Sequence, residues 1–326
     1  MKYLINMVHH HSRLEWFQND WGKVEEFLKK HQINGLELIF YQDYCIDKIP
    51  KDLIMGMHLI YYPIWIDFWK ENYKSLLLQF NEKKNISMYY GDENKEVLLD
   101  KFRSEFEVAQ SLNVDYMVFH VSHVEIEHTF TWDFTYSDCE VMDCAVDVIN
   151  QTFGKTDKGV TLLMENLWWP GLNFKDPELT EEFFNKIHYP NKGFMLDIGH
   201  LMITNKDLIS MDNACEYIHE LLDKNHRLVK YIRGIHLNKS LTGKYLNEDQ
   251  LEKLKGLNDK KDFWEKLGYA REHISNIDTH IPFDHIGING IIDRIQPEYI
   301  VFEFLPKALN EWDIMIQEQN AVLNRG

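Results

Sequence analysis

Short apolar runs alternate with amphipathic segments along the whole chain. The amphipathic segments carry apolar residues at three- and four-residue spacing, which is typical of helices that pack on one face. The apolar runs are short enough to be buried strands. There are eight of them: KYLINMV, GLELIF, IMGMHLI, DYMVFHVS, TLLMENL, GFMLDIGH, YIRGIHLN and EYIVFEF. This alternation predicts an α/β fold, a single-domain (β/α)8 TIM barrel over residues 1–326. An open doubly wound sheet is the alternative, but no GxGxxG motif follows the first strand.

Two segments are longer than a plain barrel needs. They run from Tyr61 to Lys95 and from Leu241 to Asn276, and each follows the end of a predicted strand. Insertions at these positions would lie over the catalytic face and act as lids or substrate walls. The alternative is that they are extra helices packed on the rim.

Composition and charge restrict the class of partner. The chain has 326 residues, of which 44% are hydrophobic and 27% are charged, as in ordinary globular proteins. It carries 35 basic and 52 acidic residues, which gives a formal net charge of -17. Such a charge repels polyanions, so nucleic acid is a disfavoured partner.

Cysteine usage and the N-terminus predict a cytoplasmic protein. Cys45, Cys139, Cys144 and Cys215 show no CxxC spacing and are too sparse for a disulfide framework. The N-terminal apolar run lacks a signal-type cleavage site, and no stretch is long enough to span a bilayer. The short run His9–His11 is interpreted as native sequence and not as a tag.

Potential metal ligands stand at the ends of nearly all the runs from the third onward. They are His58 in the third run, His120 in the fourth, Glu165 in the fifth, Asp197 and His200 in the sixth, His236 in the seventh and Glu303 in the eighth, with Asp278 and His280 in the loop before the eighth. The carboxyl ends of barrel strands converge on one face, so these side chains would meet around one point.

Each of these residues has a structural alternative. A lone histidine at a strand end is often a hydrogen-bonded rim residue, and a carboxylate in a core strand can pair with an interior lysine or arginine. The eight runs contain few basic residues beyond Lys2 and Arg233, which weakens the second alternative. Repetition at the same structural position favours a metal site.

The donor types indicate which ions would bind. Imidazoles mixed with carboxylates suit zinc, manganese, iron or cobalt, whereas magnesium and calcium prefer oxygen ligands. Nine candidate ligands are too many for one ion. We therefore expect one to three divalent ions, Zn²⁺ or Mn²⁺, with some of the nine residues serving as acid, base or substrate contact.

Four motifs resemble the xylose isomerase-like barrel superfamily, which contains sugar isomerases, epimerases and endonuclease IV. They are MEN in the fifth run, LDIGH in the sixth, IHLN in the seventh and FEF in the eighth. In the epimerase branch the resemblance implies one metal ion bound by Glu165, Asp197, His236 and Glu303, with His200 near the substrate. Glu165 and Glu303 would there move a proton between the two faces of the carbon next to a carbonyl.

The endonuclease branch adds histidines on strands three and four and a DxH motif after strand seven. His58, His120, Asp278 and His280 match these additions, so the resemblance implies a complete trinuclear zinc set. The segment HLNKS resembles that branch's HLNDS, with Lys239 where an aspartate is usual. The acidic charge, the N-terminal NMVHHHS and the long insertion between His236 and Asp278 depart from the branch.

The sequence therefore predicts a metal-dependent isomerase or epimerase of a sugar or similar polyol, with Glu165, Glu303 and His200 as catalytic residues. Trp168 and Trp169 would contact the uncharged sugar or pack the rim, and Asn166 and Lys239 are further expected substrate contacts. The alternative is an endonuclease IV-like zinc hydrolase of a small phosphoester or abasic DNA. A noncatalytic barrel ranks last, because replacing the buried polar residues with apolar ones would stabilise it.

Overall fold

Eight parallel strands form a closed barrel in the computed structural model, which describes residues 1–9, 11–40, 46–155 and 159–325. Each strand pairs with its neighbours in chain order, and the eighth pairs with the first. The strands are β1 (Lys2–His9), β2 (Gly35–Phe40), β3 (Ile54–His58), β4 (Tyr116–His120), β5 (Thr161–Glu165), β6 (Lys192–Asp197), β7 (Ile232–Leu237) and β8 (Tyr299–Phe302). The predicted (β/α)8 barrel is confirmed, and the open sheet is excluded.

Helices surround the barrel and fill the two insertions. Within the described ranges they are α1 (His11–Glu15), α2 (Trp21–Lys30), α3 (Ile66–Trp69), α4 (Tyr73–Phe80), α5 (Lys83–Tyr90), α6 (Glu96–Leu112), α7 (His128–Thr131), α8 (Asp138–Phe153), α9 (Pro177–Lys186), α10 (Ile198–Ile203), α11 (Met211–Lys224), α12 (Gly243–Leu246), α13 (Gln250–Asn258), α14 (Phe263–Ser275), α15 (Ile288–Ile295) and α16 (Leu309–Val322). Short 3-10 turns occupy Ile46–Lys48, Lys51–Leu53 and Val229–Tyr231.

Local sequence fixes where several helices begin. Ser137 caps α8 in a reciprocal capping box with Glu140. Asp176 caps α9, and Pro177 follows at the first helical position, where a missing N–H costs nothing. A helix cap also divides the sixth apolar run into a strand and a helix. Strand β6 ends at Asp197, whose carboxylate accepts a hydrogen bond from the backbone N–H of His200 and starts α10.

Strand register brings the polar strand ends to one level. Residues paired across neighbouring strands include His120 with Glu165 and Asp197 with His236. Below them, the barrel interior is filled by a buried cluster of Leu4, Tyr116, Val118, Leu163, Met195, Tyr299 and Val301. The larger apolar core lies between the strands and the outer helices. The polar residues therefore lie at the carboxyl mouth of a solid barrel.

The two insertions contact each other. The first contains α3, α4 and α5, and the second contains α12, α13 and α14. Phe80 of α4 stacks on Phe263 of α14, and the indole N–H of Trp264 donates to Asn85 of α5 at 3.0 Å. The second insertion also packs on the loops after β4 and β5, where Leu246 shares an apolar cluster with Trp168. We call the two insertions together the lid.

Cys45 and His10 lie outside the described residues, so the interpretations that rest on them stay predictions. Cys139, Cys144 and Cys215 are free thiols. Within the described part of the chain, every helix is too short or too polar to cross a bilayer.

Candidate metal centre

Glu165 lies at the centre of the polar cluster and is completely buried at the end of β5. Its Oε1 lies 3.0 Å from Nδ1 of His236. Its Oε2 lies 2.9 Å from Nε2 of His120 and 3.1 Å from Nε2 of His58. The two oxygens thus face different nitrogen donors, which is the arrangement that a carboxylate shared by two ions requires. The first donor set is therefore His58, His120 and Oε2 of Glu165, and Oε1 belongs to a second set.

The second set combines Glu165 with Asp197, His236 and Glu303. One donor atom from each of these residues lies within 4.8 Å of the others. Asn238 orients the two added carboxylates, because its amide nitrogen donates to Asp197 at 2.7 Å and to Glu303 at 3.3 Å. Gly199 makes room for this amide, since a Cβ there would lie 1.8 Å from Oδ1 of Asn238.

The third set consists of His200, Asp278 and His280. Oδ2 of Asp278 lies 3.3 Å from Nε2 of His200 and 2.7 Å from Nε2 of His280. The hydroxyl of Ser240 donates to the other oxygen of Asp278 at 3.0 Å. Asp278 and His280 come from the loop after α14, so this set joins the second insertion to the barrel mouth.

Three of the five histidines are held by backbone carbonyls. The Nδ1 atom of His58 lies 2.9 Å from the carbonyl oxygen of Leu59. The Nδ1 atom of His200 lies 2.7 Å from the carbonyl oxygen of Asn166, and that of His280 lies 3.0 Å from the carbonyl oxygen of Glu303. A carbonyl only accepts, so each Nδ1 carries a hydrogen, and each Nε2 faces the centre as the nitrogen that would bind an ion once it is unprotonated. Metal-binding histidines are commonly oriented in this way.

Charges within the cluster shift the pKa values of its members. Burial acts to lower the pKa of His58, but hydrogen bonding and charge from Glu165 outweigh it and raise the value to about 9. Burial likewise opposes protonation of His280, yet the charges of Asp278 and Glu303 raise its pKa to about 10. Burial raises the pKa of Asp197 well above its usual range. These crowded carboxylates need positive charge, and divalent ions would supply it.

The expected substrate residues divide into two groups. Trp168 and Trp169 are buried side by side near the mouth, and the ring of Trp168 lies 5.0 Å from that of His200. Their indole N–H groups have no protein hydrogen-bond partner within the described chain. By contrast, Asn166 pairs both of its amide groups with the backbone of Asp197. The ammonium of Lys239 lies 2.6 Å from the carboxylate of Asp284.

Our sequence interpretation did not include Glu37, which lies beside the candidate site. It stands inside the second apolar run, GLELIF, and its carboxylate lies 3.0 Å from Nε2 of His236. The sequence did contain a signal for Glu37. A carboxylate within an apolar run is the feature that identified Glu165 and Glu303, and Glu37 has the same feature. Tyr61, at the start of the first insertion, packs its ring edge-on against His120 with the ring centroids 4.4 Å apart.

Comparisons with known proteins agree with this architecture. A family model described as xylose isomerase-like TIM barrel matches residues 53–293. The structure of endonuclease IV from Thermus thermophilus is 13% identical with a TM-score of 0.51, over 100% of both chains. That of 3-keto-D-glucoside 4-epimerase from E. coli is 10% identical with a TM-score of 0.52, over 99% of both chains. The IOLI protein with a bound zinc atom is 14% identical with a TM-score of 0.52, over 99% of this chain and 96% of that one. These identities establish a shared fold alone, and no curated protein sequence matches the chain.

Proposed function

Because the chain belongs to the xylose isomerase-like TIM barrel family, which contains sugar isomerases, epimerases and endonuclease IV-like enzymes, we propose that it is a metal-dependent enzyme that hydrolyses a small phosphoester. Each of the three donor sets would hold one divalent ion. This function is the second of the two enzymatic functions that the sequence suggests.

The observation that carries this proposal is that the nine predicted ligands form three neighbouring donor sets, two of which share Glu165. A mononuclear isomerase needs only Glu165, Asp197, His236 and Glu303. The other five residues would then be buried or half-buried polar groups without a metal to bind, at a cost in stability. They are His58, His120, His200, Asp278 and His280. Three ions give every one of the nine a partner.

The donor types fit zinc or manganese, since histidine nitrogens and carboxylate oxygens contribute together. When bound, such ions would neutralise the charge of a phosphate group and activate water for attack on phosphorus. The protein's own contribution is orientation. Asn238 fixes Asp197 and Glu303, the backbone carbonyls fix three imidazoles, and burial of Glu165 excludes bulk water from the centre.

A small substrate agrees with the surface better than DNA does. The net charge of -17 opposes a polyanion, and phosphate contacts on DNA normally come from lysine and arginine. The lid is joined by the contact between Phe80 and Phe263 and packs on the loops that bear Trp168. His120 is the most exposed of the nine candidate ligands, and its side chain is only 14% exposed. A bulky duplex would have to displace this lid.

The test compares metal content and substrate turnover in matched variants. Wild type, reconstituted with zinc or manganese, is assayed with bis(p-nitrophenyl) phosphate, abasic-site DNA and a panel of ketoses. The triple variant His58→Ala, His120→Ala, His280→Ala is expected to fall from three ions to about one and to lose phosphoester cleavage. His31→Gln is the control, because His31 is buried but pairs with Asp313. Hydrogen exchange at a ketose α-carbon without phosphoester cleavage would overturn the proposal.

One observation keeps the isomerase as a second candidate. Glu165, Asp197, His236 and Glu303 form a four-ligand set that is complete by itself, and it contains two glutamates able to move a proton. In that case wild type and the triple variant would both hold one ion per chain. Replacing Glu165 or Glu303 with glutamine would then cut isomerisation by roughly a hundredfold or more.

A further inference from the structure

Glu37 is a completely buried carboxylate in the middle of β2. Its two oxygens lie 3.0 and 3.1 Å from Nε2 of His236 on β7. The phenolic hydroxyl of Tyr116 on β4 donates to Oε2 of Glu37 at 2.8 Å. Burial of a carboxylate is costly unless its partners compensate, so a residue with these contacts has a specific role inside the barrel.

His236 is oriented in the opposite sense to the three histidines held by carbonyls. Its Nδ1 faces Glu165 at 3.0 Å, whereas its Nε2 faces Glu37. Both ring nitrogens face a carboxylate, but only Glu165 belongs to the donor sets. An ion bound at Nδ1 would therefore leave the ring hydrogen on Nε2, where Glu37 accepts it. A carboxylate behind a metal-binding imidazole also raises its basicity as a ligand, more than a neutral carbonyl does.

Tyr116 reaches Glu37 because Gly56 lies between them. A Cβ on Gly56 would lie 2.2 Å from Cζ of the tyrosine ring, so any larger residue would push the ring aside. Gly56 pairs with Glu37 on one side and with Tyr116 on the other in the barrel register. The three strands therefore place the carboxylate and the hydroxyl together directly beneath the metal centre.

We infer that Glu37 is a positioning residue for the metal centre: it fixes His236 as an Nδ1 ligand with its hydrogen on Nε2, and Tyr116 holds Glu37 in place. The inference rests on the metal centre of the proposed function. It extends the centre to a tenth residue, on a strand that contributes none of the nine ligands.

The first test measures zinc affinity without any substrate. Apo protein is titrated with Zn²⁺ alone in competition with a chromophoric chelator. In Glu37→Gln one ion is expected to bind about 10- to 100-fold more weakly than in wild type, with the other two unchanged. Asp67→Asn is the matched control, because Asp67 is a buried carboxylate whose partners are Asn72, Ser75, Gln79 and Tyr136. Its zinc affinities should equal those of wild type.

The outcomes separate this inference from the function it rests on. Wild-type zinc affinities in Glu37→Gln would overturn the inference and leave the metal centre intact. No zinc binding by wild type would overturn the proposed function and the inference with it.

A second measurement needs no variant of Glu37, so it decides the matter even where Glu37→Gln does not fold. Long-range ¹H–¹⁵N spectra of zinc-loaded wild type report which ring nitrogen of each histidine carries the hydrogen. We expect the hydrogen on Nε2 in His236 and on Nδ1 in His58, His200 and His280. A hydrogen on Nδ1 of His236 would overturn the inference.

Discussion

Phe80 stacks on Phe263 with the ring centroids 4.2 Å apart and the ring planes inclined by 28°. This contact joins the insertion after β3 to the insertion after β7, and both rings are completely buried. Tyr89 packs edge-on against Phe80 and against Phe263, so the contact is part of a larger aromatic cluster. Each insertion buries its apolar face against the other, and we expect the two insertions to be stabilised as one unit.

Phe263→Ala should loosen both insertions together. Removing a buried phenylalanine ring typically costs about 3–5 kcal/mol. Hydrogen exchange followed by mass spectrometry should become faster in α4 and α5 as well as in α14. Phe153→Ala serves as control, because the ring of Phe153 is equally buried but packs against Phe106 and Tyr189. It should leave the rate of amide hydrogen exchange in the lid unchanged. Faster exchange confined to α14 would contradict a single cooperative lid.

Glu165→Gln should release more metal than Asp278→Asn. Glu165 faces two donor sets, whereas Asp278 belongs to the third set alone. We therefore expect the glutamine variant to weaken two of the three ions and the asparagine variant to weaken one. Elemental analysis after dialysis against a weak chelator measures the difference. Equal losses in the two variants would show that Glu165 does not bridge.

Zinc binding should release protons at neutral pH. The pKa values of about 9 for His58 and about 10 for His280 mean that both imidazoles are protonated at pH 7 before metal binds. An imidazole must lose one proton to become a ligand, so about two protons should leave from these residues. Apparent zinc affinity should accordingly rise with pH up to about 10. Calorimetry in buffers of different ionisation enthalpy checks this, and a buffer-independent heat would contradict it.

Glu105 should make the folded chain more stable as the pH falls from 8 to 5. This buried residue of α6 accepts the backbone N–H of Ile60 at 3.0 Å, and burial raises its pKa to about 7. Its folded pKa exceeds its unfolded value, so the folded state binds the extra proton between these values. The stabilisation is complete below the unfolded pKa and is lost as the pH rises through about 7.

The variant Glu105→Gln isolates this effect. Glutamine keeps the acceptor for Ile60 and does not titrate, so it should stabilise the chain relative to wild type at pH 8 by on the order of 3 kcal/mol. The difference should shrink towards pH 5. Denaturant unfolding of the metal-free proteins at both pH values measures it, and a pH-independent difference would show that Glu105 stays charged.

The sequence predicted the barrel and the nine candidate ligands for one physical reason. Parallel strands buried on both faces give continuous apolar runs, and a carboxylate or imidazole at the end of such a run is conspicuous. Because all eight strands point the same way, strand ends as distant as His58 and Glu303 converge. The split of the sixth run at Asp197 was missed, because its apolar character continues into α10 and only the cap marks the boundary.

Other features depend on contacts that strand order does not reveal. Asn166 suggests a substrate contact by its residue type, yet the register of β5 against β6 pairs its amide with the backbone of Asp197. The partner of Lys239 is Asp284, which lies in a loop. The pattern of apolar and polar residues does not predict the path of that loop. Glu37 carried a signal, but its contact with His236 exists only once the barrel closes.

The number of divalent ions bound per chain tests the trinuclear centre most directly. Wild-type protein, purified without chelators and reconstituted with zinc, is counted by elemental analysis beside the triple variant His58→Ala, His120→Ala, His280→Ala. The three donor sets predict three ions in wild type and about one in the variant. One ion per chain in both proteins would contradict the trinuclear centre.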